Sequence, residues 1–270
     1  MANNKTYLGL DISTTCVGIT VFEDDNSLYG KIVENGFIKI KIPNSTSKED
    51  RLTEKFEYFK DEFLNSKFAE YNFDTIVIEQ PLLSSNNKFT CGTLLQFNGM
   101  LSGFMYEHFG CPLRYISSYD ARKFSFPTRT FSYKVNTDLT NADNIYAELE
   151  KRYFDKKTET FVEPKLFGAY ADNTDKKLIM LDIVKEVYPY LEWKTNRNGD
   201  FANENLDASD SIVVAVGYRN KEKFGELNPK GWITKKLEFR LSFFDSQFFA
   251  LQEYSPSTNK IEISDFLIEK

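Results

Sequence analysis

Several residue types are scarce in this chain of 270 residues, and each shortage excludes a class of protein. The three cysteines, Cys16, Cys91 and Cys111, are odd in number and lack the spacing of a metal site. This number and spacing argue against a disulfide framework and a zinc knuckle, and a reducing compartment fits best. No apolar stretch approaches the roughly 18 residues of a membrane span, and residues 1–5 do not resemble a secretory signal. We expect a cytoplasmic protein without a membrane segment.

Basic residues are also fewer than acidic residues. Lys and Arg number 34 against 40 Asp and Glu, which gives a net charge of -6. This balance argues against a nucleic-acid binder, which usually carries a basic surface. The objection is limited, because carboxylates that bind metal ions count as negative although their site carries cations. Local basic patches can also coexist with an acidic total.

The pattern of apolar residues predicts an α/β fold. Three strands, the third preceded by a turn at Asn35-Gly36, are followed by helix, strand, helix and strand. An antiparallel start followed by alternation implies a mixed five-stranded sheet flanked by helices. Helices are predicted at 48–68, 93–108, 175–187 and 208–219.

Two further segments are predicted around this core. We place the main domain at residues 1–222, with a polar insertion at about 124–170 that carries a helix near 141–153. Residues 223–270 form a small C-terminal β appendage, with strands at 232–244 and 261–267.

Four acidic residues lie at the ends of apolar segments. Asp11 and Glu79 each close a short apolar run, whereas Asp207 and Asp210 lead into a longer one. A carboxylate attached to a buried element has a large desolvation cost unless something compensates its charge. The i, i+3 spacing puts Asp207 and Asp210 on one helical face. If the four converge, they offer the all-oxygen ligands that Mg²⁺ and Mn²⁺ prefer. Two such ions about 4 Å apart can hydrolyse a phosphodiester.

Three short motifs resemble those of RuvC-type Holliday junction resolvases, which are nucleases of the RNase H-like superfamily. LGLDIS at 8–13, with Gly18 downstream, resembles the first motif; VIEQP at 77–81 resembles the second, and DASDS at 207–211 the third. They occur in the family's order within residues 7–218. The resemblance implies an RNase H-like fold and a metal-dependent endonuclease that cleaves branched DNA, most notably the four-way junction. Symmetric cutting of a four-way junction needs two active sites, so we also expect a homodimer.

The resemblance also assigns roles to individual residues. It implies two Mg²⁺ ions per active site, with Mn²⁺ as a substitute, held by Asp11, Glu79, Asp207 and Asp210. The family places basic residues between the second and third motifs, which implies contacts with DNA for Arg122, Lys123, Lys176 and Lys177. Lys176 or Lys177 would lie beside the scissile phosphate as a catalytic residue, and the sequence leaves open which one. A solvated helix start explains both lysines equally well.

The insertion and the appendage depart from the compact bacterial enzymes of this family. A divergent, virus-encoded member working in a host cytoplasm would fit them. Their presence puts junction selectivity in doubt more than the chemistry of cleavage.

Two other functions remain open. Asp11-Ile12-Ser13-Thr14-Thr15 also resembles the first phosphate loop of sugar kinases and other actin-like ATPases. Those proteins need a second, glycine-rich phosphate loop, yet the chain has 13 glycines and no Asp-Gly-Gly or Gly-Gly-Thr. A catalytically silent binding module with an RNase H-like core is the other alternative, and it requires all four carboxylates to be incidental. The lone histidine, His108, lies on an apolar helix and is interpreted as a packing residue.

Overall fold

A mixed sheet organises the first of the two units into which the chain divides. This unit comprises Met1–Ser125 with Lys176–Arg219, and the second comprises Phe126–Asp175 with Asn220–Lys270. The computed structural model describes residues 4–25, 27, 29–81, 88–134, 147, 151–157, 160–161, 165–168, 174–224, 239–244 and 247–252.

The five strands of the first unit are β1 (Lys5–Ile12), β2 (Cys16–Asp24), β3 (Lys31–Lys39), β4 (Thr75–Glu79) and β5 (Leu113–Ile116). Their order across the sheet is β3-β2-β1-β4-β5. The pairs β1–β2 and β2–β3 are antiparallel, whereas β1–β4 and β4–β5 are parallel. This is the expected mixed five-stranded sheet, and the predicted α/β fold class is confirmed.

Helices cover both faces of this sheet. The chain forms α1 (Arg51–Leu64), a 3₁₀ turn (Lys67–Glu70), α2 (Lys88–Phe109), α3 (Ser118–Ser125), α4 (Pro127–Thr130), α5 (Lys176–Val187) and α6 (Asn205–Phe224). None of the helices in these described ranges has both the length and the apolar character needed to cross a membrane.

One face of the sheet packs on α1 and α2 through a single apolar cluster. Leu8 and Leu10 of β1 and Ile76 and Ile78 of β4 belong to this cluster. The helices contribute the buried side chains Phe59, Phe63, Phe97, Leu101 and Met105. Because successive strand residues point to opposite faces, the residues between these leucines and isoleucines face the other way, towards α6.

Helix α6 lies directly against β1 and β2, and two glycines permit this close approach. A Cβ built at Gly9 would overlap the carbonyl oxygen of Ser211, and one built at Gly18 would overlap the carbonyl oxygen of Asp207. Gly18 pairs with Asp11 in the β1–β2 register. The glycines therefore set the distance between the first turns of α6 and the strand that carries Asp11.

A small polar network fixes α6 against the sheet. The Thr20 and Ser211 hydroxyls lie 2.7 Å apart, and the Asn35 amide donates to Thr20 Oγ1 at 2.8 Å and to the Ala208 carbonyl oxygen at 2.9 Å. These bonds explain why the predicted turn at Asn35-Gly36 is wrong. Strand β3 runs straight through both residues, because the Asn35 side chain finds partners inside the unit.

The second unit contains the short strands of the expected insertion and appendage. These are β6 (Phe131–Lys134), β7 (Phe154–Asp155), β8 (Thr160–Phe161), β9 (Lys165–Leu166), β10 (Phe239–Phe244) and β11 (Gln247–Gln252). Four of them form one sheet in the order β10-β11-β6-β9. Strands from the two segments thus share a sheet. The predicted strand at 261–267 and most of the helix near 141–153 lie outside the described residues.

The glycine contact gives a first prediction. Gly18→Ala should destabilise the protein by at least about 3 kcal/mol, since the new methyl group meets backbone that cannot move aside. Gly36→Ala, also in the sheet, is the matched control; its Cβ would meet the Phe68 ring at 3.4 Å, and its effect should stay within about 1 kcal/mol. Urea unfolding measures both. Equal stabilities of the two variants would contradict the close packing of α6.

Candidate active site

Asp11 and Glu79 lie side by side at one edge of the sheet. Strands β1 and β4 are parallel, with Gly9 opposite Val77 and Leu10 opposite Ile78. Asp11 and Glu79 are the next residues along each strand. Leu10 and Ile78 belong to the cluster under α1 and α2, so the two carboxylates project from the opposite face. The sequence places them at the carboxyl ends of parallel strands, where α/β proteins commonly bind ligands.

Helix α6 brings the other two carboxylates to the same edge. Its first turns touch Gly18, the neighbour of Asp11, at the carbonyl of Asp207. Asp207 and Asp210 are one helical turn apart and therefore share a face. The Asp210 side chain is 4% exposed, against 23% for Asp207 and 15% for Asp11. The aspartates thus occupy a niche that is closed at Asp210 and open at Asp207.

A lysine ammonium lies among the three aspartates. Lys177 Nζ is 2.8 Å from Asp210 Oδ2, 3.3 Å from Asp207 Oδ1 and 3.8 Å from Asp11 Oδ2. Lys177 is the second residue of α5, and its neighbour Lys176 is exposed. The structure therefore brings Lys177 into the carboxylate cluster and leaves Lys176 on the surface.

The electrostatics of the site show an excess of negative charge. Burial, and then repulsion from Glu79 and Asp210, raise the pKa of Asp11 well above its ordinary value. Burial and the charge of Asp210 raise the pKa of Glu79 to about 7. Burial also raises the pKa of Asp210, although Lys177 opposes it. One lysine does not neutralise this cluster, and a further cation would lower its energy.

Lys177 responds in the opposite way. Burial alone would lower the pKa of its ammonium, but attraction to Asp210 and Asp11 outweighs burial and raises the pKa. The lysine is therefore protonated throughout the physiological range. Its positive charge is a permanent part of the site.

The donor chemistry of the cluster fits a hard divalent cation. All four side chains offer carboxylate oxygens, the ligands that Mg²⁺ and Mn²⁺ prefer. In the described ranges, no three His, Cys, Asp or Glu side chains are arranged to hold a metal ion. The Lys177 ammonium lies between the aspartates instead. The cluster thus has the right ligand type and charge for a metal, with a lysine as its internal cation.

Arg122 and Lys123, adjacent on α3, have different surroundings. Arg122 lies on α3, and its charge lowers the pKa of both Glu79 and Asp210 against the opposing effect of burial. Lys123 Nζ lies 5.0 Å from the centre of the Phe124 ring. Of this predicted pair, Arg122 acts electrostatically on the carboxylates.

The sequence analysis missed the residues that shape the turn after Asp11. Ser13 Oγ donates to the carbonyl oxygen of Cys16 at 2.8 Å and accepts the Cys16 N–H at 3.0 Å. Burial and the nearby Asp207 raise the pKa of the Cys16 thiol, which keeps it protonated. A serine two residues after a strand-ending aspartate is a recognisable turn signal. The sequence contained that signal for Ser13. The raised pKa of the Cys16 thiol could not be predicted, because it depends on burial and on Asp207, which is distant in the chain.

Comparisons with known proteins give structural similarities only. No family model matches the chain, and no curated protein matches it in sequence. Thermus thermophilus RuvC in complex with a Holliday junction substrate is 11% identical, with a TM-score of 0.47, over 82% of this chain and 96% of that chain. The yeast mitochondrial Holliday junction resolvase Ydc2 is 12% identical, with a TM-score of 0.39, over 81% and 80%.

A kinase is also among the similar structures. The ROK hexokinase of Thermus thermophilus is 15% identical, with a TM-score of 0.27, over 45% of this chain and 38% of that chain. Similarities at these levels concern the fold alone and assign no activity to the chain.

The pKa of Glu79 gives a second prediction. Its folded-state pKa is raised from 4.5 to about 7, so the folded protein holds this proton more tightly than the unfolded chain. The resulting stability is fully present below pH 4.5 and is lost as the pH rises through about 7. Without divalent cations, the free energy of unfolding should fall over this window by up to about 3 kcal/mol more in the wild type than in Glu79→Gln.

Urea unfolding in EDTA at each end of that window measures the difference. Glu62→Gln, at an exposed position of α1, should follow the wild type. If Glu79→Gln has the same pH dependence as the wild type, Glu79 is not part of the coupled cluster.

Proposed function

We propose that this protein is a metal-dependent endonuclease that cleaves branched DNA, with the four-way Holliday junction as its principal substrate. The observation that carries the proposal is the arrangement of the carboxylates. Asp11, Glu79, Asp207 and Asp210 come from β1, β4 and α6, and all four belong to one electrostatically coupled cluster at a sheet edge. Burial and mutual repulsion of these carboxylates destabilise the folded protein, and no structural role offsets that cost.

The four carboxylates would hold Mg²⁺, or Mn²⁺ in its place, with two ions per site. A divalent cation there supplies Lewis-acid chemistry: it lowers the pKa of an attacking water and offsets charge on the phosphodiester. The protein's own contribution is rigid placement. Buried Asp210 anchors the cluster, and Asp207 lies at its open side. In-line hydrolysis would leave 5′-phosphate and 3′-hydroxyl ends, as the family resemblance implies.

Lys177 would serve as the lysine beside the scissile phosphate. Its side chain is 39% exposed while its ammonium contacts the aspartates, so it would lie beside a phosphate bound at the open side of the niche. A fixed positive charge at that point stabilises negative charge as it develops. Arg122, Lys123 and Lys176 would bind the DNA backbone nearby.

Symmetric cleavage of a four-way junction requires two active sites, so we propose a two-fold homodimer. Helix α2 offers a surface for it. A Cβ built at Gly99 or Gly103 would meet nothing within 4 Å, and Leu95 and Tyr106 on this helix are 44% and 60% exposed. A helix face with small residues and exposed apolar side chains suits close contact with a second copy. We place this activity in residues 1–222 and expect it in the cytoplasm.

The third prediction tests the cluster by cleavage. Asp11→Asn, Glu79→Gln and Asp210→Asn each remove a ligand charge, and each should slow cleavage of a four-way junction by more than about 100-fold. Mg²⁺ and Mn²⁺ should support the reaction, whereas Ca²⁺ should permit binding without cleavage, because its looser coordination misplaces the attacking water. Flap and linear substrates provide the comparison for selectivity.

Asp61→Asn, on the exposed part of α1, is the matched control and should cleave at the wild-type rate. Activity that persists in EDTA, or wild-type rates in the three cluster variants, would sink the proposal.

The fourth prediction separates the two lysines. Lys177→Met should slow cleavage strongly, since its charge lies within the cluster. Lys176→Met should leave the rate nearly unchanged and make the log-log dependence of binding on salt shallower by about 0.9 units, the value for one phosphate contact on duplex DNA. Single-turnover rates and salt titrations of junction binding distinguish these effects. Equal cleavage rates in both variants would remove Lys177 from the site.

A further inference from the structure

A groove between the starts of α1 and α2 concentrates positive charge in an otherwise acidic protein. It has a volume of about 670 Å³ and is lined by Lys48, Arg51, Lys55 and Lys88, with Glu49 as its only lining carboxylate in the described ranges. The whole chain carries a net charge of -6. Four of the ten lining residues are cations, against 34 Lys and Arg among the 270 residues of the chain.

Three of these cations have no carboxylate partner within the described part of the chain. Lys48, Arg51 and Lys88 take part in none of its ion pairs. The acids next to them on α1 are bonded to hydroxyl groups instead: Asp50 accepts a hydrogen bond from Ser47, and Glu54 accepts one from Thr46. Burial, and then repulsion from Arg51, lower the pKa of Lys55. The groove is thus a place where an anion would be favourable.

The groove lies at the same edge of the sheet as the carboxylate cluster. Lys55 Nζ donates to the carbonyl oxygen of Thr14 at 2.7 Å, and Thr14 belongs to the turn that follows Asp11. Helix α2 begins at Lys88, after the strand that ends at Glu79. Both helix starts therefore lie at the sheet edge where Asp11 and Glu79 are found. A chain of phosphates bound in the groove would have to cross this edge to reach those carboxylates, which project from the opposite face of the sheet.

An aromatic ring at the groove suits a strand with unpaired bases. Phe89 lines the groove and is 85% exposed, an unusual exposure for a phenylalanine. Proteins that bind single strands combine a basic groove, which follows the backbone, with exposed aromatic rings on which bases stack. Phe89 stands among the groove's cations in this arrangement.

We propose that this groove binds the backbone of a nucleic-acid strand that leads into the carboxylate cluster, with Phe89 stacked on an unpaired base. The destination of the strand rests on the proposed function, whereas binding in the groove can be tested without it. The partner follows from charge and from the exposed ring: repeated phosphates match the cations, and a base matches Phe89.

The test compares two double variants with the same change in charge. Arg51→Ser/Lys88→Ser removes one cation from each side of the groove. Lys31→Ser/Lys67→Ser removes two exposed cations from β3 and the 3₁₀ turn and is the control. Binding of a labelled four-way junction and of a labelled single strand is measured by fluorescence anisotropy in EDTA, across a range of salt.

The groove variant should bind both probes at least about tenfold more weakly at low salt. Its salt slope should be shallower by about 1.4 units for the single strand and 1.8 for the junction, as two lost phosphate contacts require. The control should stay within about twofold of the wild type. Equal losses in the two double variants would overturn the proposal, as would binding of polyglutamate with the same dependence on Arg51 and Lys88.

Phe89 is tested against a second exposed aromatic residue, Tyr190, which is 56% exposed and has no place in the proposed site or dimer surface. Phe89→Ala should weaken single-strand binding by about 5- to 150-fold, the range for one stacked base, whereas Tyr190→Ala should not. Unchanged affinity of Phe89→Ala would overturn the base contact. Cleavage is scored separately: if Asp11→Asn still cleaves while the groove variant loses binding, the proposed nuclease site fails and the groove assignment stands.

Discussion

Repulsion between buried carboxylates is the constraint on which this structure depends. Asp11, Glu79 and Asp210 all have pKa values raised first by burial, and each is raised further by other acids of the cluster. An arrangement of this kind persists only when the surrounding structure holds it in place. The sheet fixes Asp11 beside Glu79, and the glycine contact brings α6 close enough to add Asp207 and Asp210. The packing of the first unit is therefore inseparable from the electrostatics of its site.

Lys177 makes this arrangement tolerable. Its ammonium contacts three aspartates at once and is held in the charged form by them. The same position gives the residue two roles that need no conformational change: it is a counter-ion for the cluster and a cation exposed towards the mouth of the niche. A methionine at this position would keep an unbranched side chain but would remove the positive charge that contacts Asp11, Asp207 and Asp210.

Charge is distributed unevenly around the edge of the sheet. The carboxylates lie on the α6 side, whereas four cations line the groove between α1 and α2. The turn after Asp11 lies near both, because Ser13 closes it and Lys55 binds its Thr14 carbonyl. The net negative charge of the chain therefore does not describe every part of its surface. The carboxylate cluster is negative, whereas the groove is lined mainly by cations and would attract phosphates.

The sequence by itself determined the sheet, the helices and the four acids. Alternating apolar residues specify strands, and short motifs at the ends of those strands place Asp11 and Glu79 where parallel strands terminate. Those signals are local, which is why they can be read from one chain.

Only the tertiary structure decided which residues of distant segments meet. It selected Lys177 over Lys176, kept Asn35 inside a strand, and joined strands of the insertion and the appendage in one sheet. It also gathered Arg51 and Lys88 from separate helices into one groove. These outcomes depend on contacts between positions far apart in the chain, where neither periodicity nor turn chemistry carries information, and burial and charge in the folded state decide the result.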